Sequence, residues 1–327
     1  YGDHRDLHLS LRRQRQMCIR DRSNISIYRD IYDDLKQFTG GIFAQNRIQL
    51  NEKLLLGVGL RIDYRSIDRG KEFSYKSFSD ISPKINLTFK KDSFSTWNFA
   101  LSKGFRSPSL SELFLQYESD YGLNTQGNPN LEPEQLFGLD ISYDRSNLSS
   151  MTFSASTFYY RYEDMIDFVY GLPVIALNRS DISSCGFETN LSYAYNTNLN
   201  FDLGYTYLRV NDINDIDPIL YRPHHKFIAS IKYKADKISN IISMRFQSEQ
   251  DYQDFLSDER EYEGSEIKFP IEQLDSLVLF NFISSYEFSD NDKISFKISN
   301  LFDKQYELIQ DFPMPGRTFS IMFERTF

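Results

Sequence analysis

Apolar and polar residues alternate with a period of two through most of the chain after about residue 38. The segment 53–65 is the clearest case. One face of a strand would carry Leu54, Leu56, Val58, Leu60, Ile62 and Tyr64, and the other would carry Gly57, Gly59, Arg61, Asp63 and Arg65. A helix would scatter these apolar residues around its axis, whereas a strand aligns them. The pattern predicts an all-β fold of roughly 13 or 14 strands, each of about 10 to 20 residues.

The lengths of the connections also follow a pattern. Short polar turns are predicted at residues 51–52, 91–93, 146–149, 196–198, 235–239 and 289–292, and long connections at 66–77, 105–133, 211–222, 252–273 and 303–315. The two kinds alternate, with one short exception near residues 171–173. This alternation is typical of an outer-membrane β-barrel, which has tight periplasmic turns and large outside loops.

Composition narrows the class of protein. The mean hydropathy is -0.49, and no apolar run approaches the ~18 residues that a membrane helix needs. Aromatic residues reach 16%, with 28 Phe and 22 Tyr, which suits the aromatic girdles of a membrane barrel. A tyrosine-rich soluble β-sandwich remains an alternative on composition alone.

Charge and cysteine content argue against several other classes. The net charge of -9 argues against a nucleic-acid partner. The chain has two cysteines, and their spacing suggests neither a disulfide framework nor a zinc site. The sequence offers no catalytic arrangement with motif support and no metal site, so we predict neither an enzyme nor a bound cofactor.

The C-terminal strand is a further barrel signal. Phe319, Ile321, Phe323 and Phe327 share one face, which Arg325 interrupts. A long cation can reach the membrane interface from such a position. A terminal aromatic strand is what the barrel assembly machinery reads, so that machinery is a predicted partner. The turn pattern then places the C-terminus in the periplasm.

Residues 1–23 differ from the rest of the chain. They hold six Arg against three Asp and show no strand alternation. The run from Met17 to Asp21 looks like a translated sequencing adapter, so we hypothesise that residues 1–23 are not native and that the barrel occupies residues 24–327. A natural basic arm is the alternative.

Four stretches carry motifs that name a family. They are 104–114 with 127–134, including Arg106, Pro108, Glu112, Gly127, Asn128, Pro129, Pro133 and Glu134; 178–188 with Gly186 and Glu188; 205–207 with 222–224; and 300–306 with 315–327, including Asn300, Leu301, Phe302, Tyr306, Gly316, Arg317 and Phe327. In order and spacing they resemble TonB-dependent outer-membrane receptors, and the last resembles the siderophore and cobalamin receptors.

The resemblance implies a plug domain inside a 22-stranded barrel in the Gram-negative outer membrane. The TonB–ExbB–ExbD complex would act on the plug, and a ferric siderophore, haem or cobalamin would be imported into the periplasm. The plug and about eight strands would then be missing from this chain, which we expect to be an incomplete barrel. A passive porin or an adhesin is the alternative function.

Most motif residues are expected to serve the barrel architecture. The prolines keep the long loop from pairing as a strand, Gly127 and Gly316 permit tight turns, and Gly186 marks a close approach of backbone to other protein. Arg106, Tyr117 and Tyr121 are the predicted ligand-binding residues, since rings and a guanidinium suit an aromatic or anionic metal chelate.

Two candidate metal sites receive less weight. His224 and His225 are neighbours on a predicted strand and should point to opposite faces, so one ion could not easily bind both. The acidic loop with Asp212, Asp215 and Asp217 lacks the glycine of a calcium loop, and a solvated outer loop is the default.

Overall fold

A computed structural model describes residues 36–326, apart from 69–75, 118–123, 148–149, 170–172, 214–218, 255–256, 258, 260 and 264–265. The segment 1–23, with its hypothesised non-native origin, lies outside the described residues, as do Tyr121, Asp215, Asp217 and Phe327. The helix that the described residues form is too short to cross a membrane.

The described elements are β1 (Lys36–Asn51), β2 (Leu54–Asp68), β3 (Lys76–Asp92), β4 (Ser95–Arg106), α1 (Leu110–Phe114), β5 (Gln116–Tyr117), β6 (Thr125–Gln126), β7 (Glu134–Asn147), β8 (Met151–Val169), β9 (Val174–Ala194), β10 (Leu199–Asp212), β11 (His225–Ala235), β12 (Ile238–Gln247), β13 (Gln250–Gln253), β14 (Glu261–Glu263), β15 (Glu266–Lys268), β16 (Ile271–Leu274), β17 (Leu277–Glu287), β18 (Asp292–Ser299) and β19 (Thr318–Arg325).

Thirteen of these strands form one continuous antiparallel meander. Its order is β1-β2-β3-β4-β7-β8-β9-β10-β11-β12-β17-β18-β19, so each strand pairs with its neighbours in this sequence. The predicted all-β antiparallel fold and strand number are confirmed. Each strand of the meander is joined to the next without a crossover connection, because antiparallel neighbours can be linked at the same end of the sheet.

The connections separate into two rims. Two residues join β1 to β2 and β11 to β12, at 52–53 and 236–237, whereas 107–133, 248–276 and 300–317 fill the long connections. In an antiparallel meander, successive connections lie at opposite ends. The short turns therefore share one rim and the long loops the other, with the predicted short exception between β8 and β9.

The two faces of the sheet differ in chemistry. Ile62 on β2 pairs with Ile42 on β1 and Ile81 on β3, and all three are at least 42% exposed in the chain alone. Arg61 and Asp63 lie on the opposite face and pair with each other at 2.6 Å. An apolar outer band beside a polar interior is the surface that a membrane barrel presents to lipid.

The C-terminal strand continues this outer band. Phe319, Ile321 and Phe323 of β19 lie opposite Ile298, Phe296 and Ile294 of β18. Arg325, which interrupts the pattern, pairs with Asp292 across the strands at 2.6 Å. The pair lies at the short-turn rim, where a charged side chain can be satisfied at the edge of the apolar band.

Buried apolar packing is concentrated at the long-loop rim. The described core comprises Ile67, Phe78, Leu113, Phe114, Leu131, Ile166 and Ala176. These residues come from β2, β3, β8, β9 and the connection between β4 and β7. That connection therefore folds against the inner face of the sheet instead of extending away from it.

The long loops contain regular structure that the period-two analysis did not predict. Strand β13 pairs with β16, and β14 pairs with β15, within the connection between β12 and β17. These strands have only three or four residues each. Alternation over so few positions cannot be distinguished from an irregular loop.

Candidate functional site

The connection from residue 107 to residue 133 forms the candidate site, and we call it the inner loop. Its helix α1 begins after Ser109, whose hydroxyl accepts a hydrogen bond from the Glu112 backbone N–H. The Glu112 carboxylate in turn accepts from the Ser109 backbone N–H at 2.7 Å. This capping box satisfies two donors at the helix start and stabilises a helix of only five residues.

A charged cluster ties the inner loop to the end of β4. Arg106 donates two hydrogen bonds to Glu134, one to each carboxylate oxygen. A third goes to Glu112 at 2.8 Å. Both carboxylates are largely buried, and the Ile166 backbone N–H also donates to Glu134 at 2.8 Å. Partial burial makes these charge-assisted bonds stronger than exposed ones.

Cations from β2 and β3 hold the inner loop on its other side. Arg65 donates to Ser107 Oγ at 2.8 Å and to the Pro108 carbonyl at 2.7 Å. Lys76 donates to the carbonyls of Pro129 and Leu131, at 2.7 and 2.6 Å. Carbonyls that cannot join a sheet ladder are thereby satisfied.

Strand β9 makes further contacts with the inner loop. Asn178 accepts from the Glu132 backbone N–H at 2.8 Å and donates to the carbonyls of Glu132 and Asp164. Strand β6 also pairs in parallel with the start of β9, where Thr125 lies opposite Val174. The described parts of the inner loop are thus fixed to four meander strands, β2, β3, β4 and β9.

Gly127 and Gly316 are the glycines predicted to permit tight turns, but neither has a φ in the left-handed region. A Cβ on Gly127 would lie 2.6 Å from the backbone nitrogen of Phe114, so glycine is required there for space. A Cβ on Gly316 would lie 2.5 Å from Asp303 Oδ1, which is the end of a side chain that can shift. The close approach of the chain at Gly127 brings the second half of the motif against α1.

Gly186 meets the expected close approach. A Cβ there would lie 2.5 Å from the Phe158 ring and 2.6 Å from the Tyr207 carbonyl oxygen. Glu188, two residues further along β9, lies opposite Ser156 and Thr206 on the inner face. Glycine at position 186 therefore makes room for an aromatic ring from the neighbouring strand.

The last motif builds the turn before β19. Asn300 has a φ of 52° and exchanges hydrogen bonds with the backbone of Lys304. Phe302 packs edge-on against the Phe280 ring, and the Leu301 backbone N–H donates to the Phe280 carbonyl.

Two further hydrogen bonds close the loop. The Met314 backbone N–H donates to the Tyr306 carbonyl at 3.0 Å, and the Arg317 backbone N–H donates to Asp303 Oδ1 at 2.6 Å. These contacts set the geometry of the outer loop.

The predicted ligand-binding residues have different environments. Arg106 directs its guanidinium to Glu112 and Glu134. Tyr117 lies on β5 and is 43% exposed. Tyr121 is outside the described residues. The role of these three residues in ligand capture stays a prediction, with Tyr117 the most accessible of the described pair.

A second concave region lies at the long-loop rim between β10 and the loop before β11. Its volume is about 480 Å³, and it is lined by Tyr207, Arg209, Asp212, Arg222, His225 and Asp251 among others. His225 Nδ1 contacts Tyr205 Oη, whereas His224 Nδ1 contacts the Leu208 carbonyl, each at 2.9 Å. The two imidazoles thus have separate partners. The described residues contain no group of three or more His, Cys, Asp or Glu arranged to hold a metal.

The antiparallel meander, its apolar outer band and its inward-folded loop define the chain as an outer-membrane β-barrel. A family model described as "TonB dependent receptor-like, beta-barrel" matches residues 3–301. The chain therefore belongs to the TonB-dependent receptor β-barrel family, and the predicted family and Gram-negative outer-membrane location are confirmed.

Curated relatives match part of the chain. The iron-regulated outer membrane virulence protein of Vibrio cholerae serotype O1 is 23% identical over 227 residues, which cover 64% of this chain and 33% of that protein. The same protein from a second strain of that serotype matches over the same extent. This chain thus aligns with about a third of the length of its curated relatives.

Solved structures share the fold. The copper transporter OprC superposes with a TM-score of 0.74 at 19% identity, covering 90% of this chain and 49% of OprC. The siderophore receptor PirA from Acinetobacter baumannii gives 0.71 at 18%, covering 89% and 46%. The FrpB iron transporter from Neisseria meningitidis gives 0.71 at 14%, covering 90% and 46%. At these identities the likeness concerns the fold alone.

Proposed function

We propose that this chain is the barrel part of an active importer that takes a scarce, bulky nutrient across the outer membrane. The observation that carries the proposal is the family membership of a barrel whose inner loop is fixed across its inner face.

The substrate class that we favour is a metal chelate such as a ferric siderophore, with haem or cobalamin as further candidates. The names of the relatives support iron: one is iron-regulated, one is a siderophore receptor and one is an iron transporter. Because one structural neighbour is a copper transporter, the proposal includes chelates of metals other than iron.

The mechanism needs partners beyond the described residues. The outer loops and a plug would bind the ligand, and the TonB–ExbB–ExbD complex would act on the plug to release it. The barrel assembly machinery would insert the protein by reading the C-terminal strand. The described parts of the inner loop, held by ion pairs and hydrogen bonds to the strands, would form part of the wall against which the ligand is bound.

We further propose that the chain is a piece of a longer receptor and that residues 1–23 are not native. The partial coverage of the relatives supports the first statement. Long-read sequencing across the 5′ boundary of the gene in its source DNA tests both. We expect an upstream frame with a signal peptide, a TonB box, a plug and about eight more strands. A native frame without a plug would contradict the importer proposal and favour a passive porin or an adhesin.

A further inference from the structure

Basic side chains line the inner face of β11 and β12. They are Lys226, Lys232, Lys234 and Arg245. The inner face is assigned from the register, because Lys226 lies opposite Thr206, which in turn lies opposite Glu188. Lys226 also lies opposite Gln247 of β12. Arg245 shares that face, since it is two residues from Gln247 on the same strand.

The two lysines towards the short-turn rim have carboxylate partners. Lys232 Nζ lies 2.8 Å from Asp202 Oδ2, and Lys234 Nζ lies 3.1 Å from Glu287 Oε1. The other two basic side chains lie nearest the long-loop rim, and neither forms an ion pair within the part of the chain that the structure describes. The positive charge of this wall is therefore balanced near the short turns and unbalanced near the outer opening.

Lys226 and Arg245 are close neighbours near that opening. They occupy diagonal positions on adjacent strands, where Cα atoms are about 7–8 Å apart. Among the described residues, the charges that act on the Lys226 ammonium are those of Arg245 and Arg222, and both are positive. Lys226 is half-buried, so water screens this repulsion only in part. Like charges held together in this way favour the binding of an anion.

A chain of amides orients the guanidinium of Arg245. Arg245 Nη2 donates to Gln247 Oε1 at 3.1 Å, and Gln247 Nε2 donates to Gln250 Oε1 at 3.3 Å. Gln250 Nε2 donates to the Leu308 carbonyl at 3.0 Å, which joins the chain of amides to the outer loop before β19. Both glutamines are buried. A guanidinium has five donors, so this contact positions Arg245 and leaves donors for a ligand.

We propose that Lys226 and Arg245 bind a negatively charged group of the imported ligand, and that the ligand is therefore an anionic chelate. The two cations lie towards the end of the barrel at which a ligand from outside arrives. A catecholate or carboxylate oxygen would accept charge-assisted hydrogen bonds from both side chains and balance their charge.

This inference rests on the proposed import function and narrows its list of ligands. A ferric siderophore with a net negative charge fits the two cations, and so does haem, which carries two carboxylates. Cyanocobalamin has no net charge and does not fit. An acidic side chain of a plug domain is the competing counter-ion, and it would make the two cations structural instead of selective.

Calorimetric titration of the purified complete receptor tests the inference without involving TonB. The probes are two ferric chelates of similar octahedral geometry. Three catecholates leave the complex with a net negative charge, whereas three hydroxamates leave it neutral. We expect the wild type to bind the catecholate complex more tightly. Lys226→Gln and Arg245→Gln should each weaken that binding about ten-fold, with little change for the hydroxamate complex.

The matched control is Lys234→Gln, which removes one positive charge from the same face of β11. It lies eight residues from Lys226, which is roughly 26 Å along the strand. This variant should bind the catecholate complex as the wild type does. If Lys226→Gln fails to fold, Arg245→Gln tests the same claim, because the Arg245 side chain is exposed.

Several results would overturn the inference. They are equal affinity of the wild type for the two chelates, binding of neither, and the same effect of the variants on both. TonB-dependent uptake of cyanocobalamin would also overturn it, while upholding the proposed import. A failure of the proposed import would show separately, as uptake that does not depend on TonB, because calorimetry reports binding alone.

Discussion

Arg106 and Glu134 are register partners at the two ends of the inner loop, and their side chains are joined by a two-pronged ion pair. This ion pair therefore lies at the last register pair between β4 and β7, and it also joins the two ends of the inner loop. Because Glu112 of α1 shares the guanidinium, the helix inside the loop is held by the strands at its base.

Breaking this pair should loosen the inner loop. We expect Glu134→Gln to cost about 2–3 kcal/mol in local stability, because it leaves a partly buried guanidinium with less compensation. Hydrogen exchange of residues 110–117 should become faster. The control is Glu324→Gln, which breaks the exposed Lys293–Glu324 pair at 3.0 Å and should cost at most about 1 kcal/mol. Unchanged exchange in Glu134→Gln would contradict a structural role for the cluster.

The glycine at position 127 should be intolerant of any side chain. Gly127→Ala places a Cβ against the backbone of Leu113, Phe114 and Leu115, which cannot move aside as a flexible side chain would. We expect a loss of about 1–3 kcal/mol, the usual range for overpacking, measured as faster exchange of the α1 amides. Gly104→Ala is the control, since a Cβ there meets nothing within 4 Å. Equal effects of the two variants would refute the space requirement.

The two faces of β12 should respond differently to charge. Ile242 lies in the outer apolar band, and Ser243 lies on the inner face. We expect Ile242→Arg to cost about 2–4 kcal/mol if it lies near the membrane midplane, because a charged group must then enter hydrocarbon. Ser243→Arg should cost little. Denaturant unfolding from phospholipid vesicles measures both, and the reverse order would mean that the faces are wrongly assigned.

The outer hairpin formed by β13 and β16 should weaken at high pH. Tyr252 donates to Glu272 Oε2 at 2.6 Å, and this hydrogen bond, together with burial, raises the pKa of Tyr252 to about 12. A raised pKa means that its contribution to stability is complete below the unfolded value of about 10. The contribution is lost as the pH rises towards 12.

Protease cleavage within residues 250–274 provides the measurement for this hairpin. In the wild type, cleavage should increase between about pH 10 and pH 12. Tyr252→Phe lacks the titrating hydroxyl, so its cleavage should change less with pH over the same interval. The same pH profile in both proteins would show that another group controls the hairpin.

The sequence predicted the features of this fold that repeat. Period-two alternation located β2, and the alternation of short and long connections separated the two rims. The network around Arg106 could not be predicted from the sequence, because Arg65, Glu112 and Glu134 come from distant segments and no local pattern joins them. Gly127 was identified as special for the wrong reason, since only the folded chain shows how close it comes to Phe114.

The sequence also did not predict where β3 and β4 stop pairing, at Lys84 opposite Ser102, or the small hairpins in the long loops. Pro83 falls inside a strand that pairs normally with β2, so its effect on the pairing of β4 depends on which neighbour lies on each side. Lys103 and Asp80 lie on opposite faces of the sheet, yet their side chains form an ion pair that alternation cannot predict. The proposed ligand-binding residues are hardest to predict, because binding residues in general lie on irregular loops that are positioned by tertiary contacts.

Energised import, which we propose for the receptor containing this chain, is tested by uptake of a labelled ligand. The ligand is a ferric siderophore, haem or cobalamin, and the Gram-negative host lacks receptors for it. The host expresses the complete gene, with and without a functional TonB. We predict uptake of at least one ligand only when TonB is present. Equal uptake in both strains, or ion conductance that does not depend on TonB, would contradict the claim and indicate a passive channel.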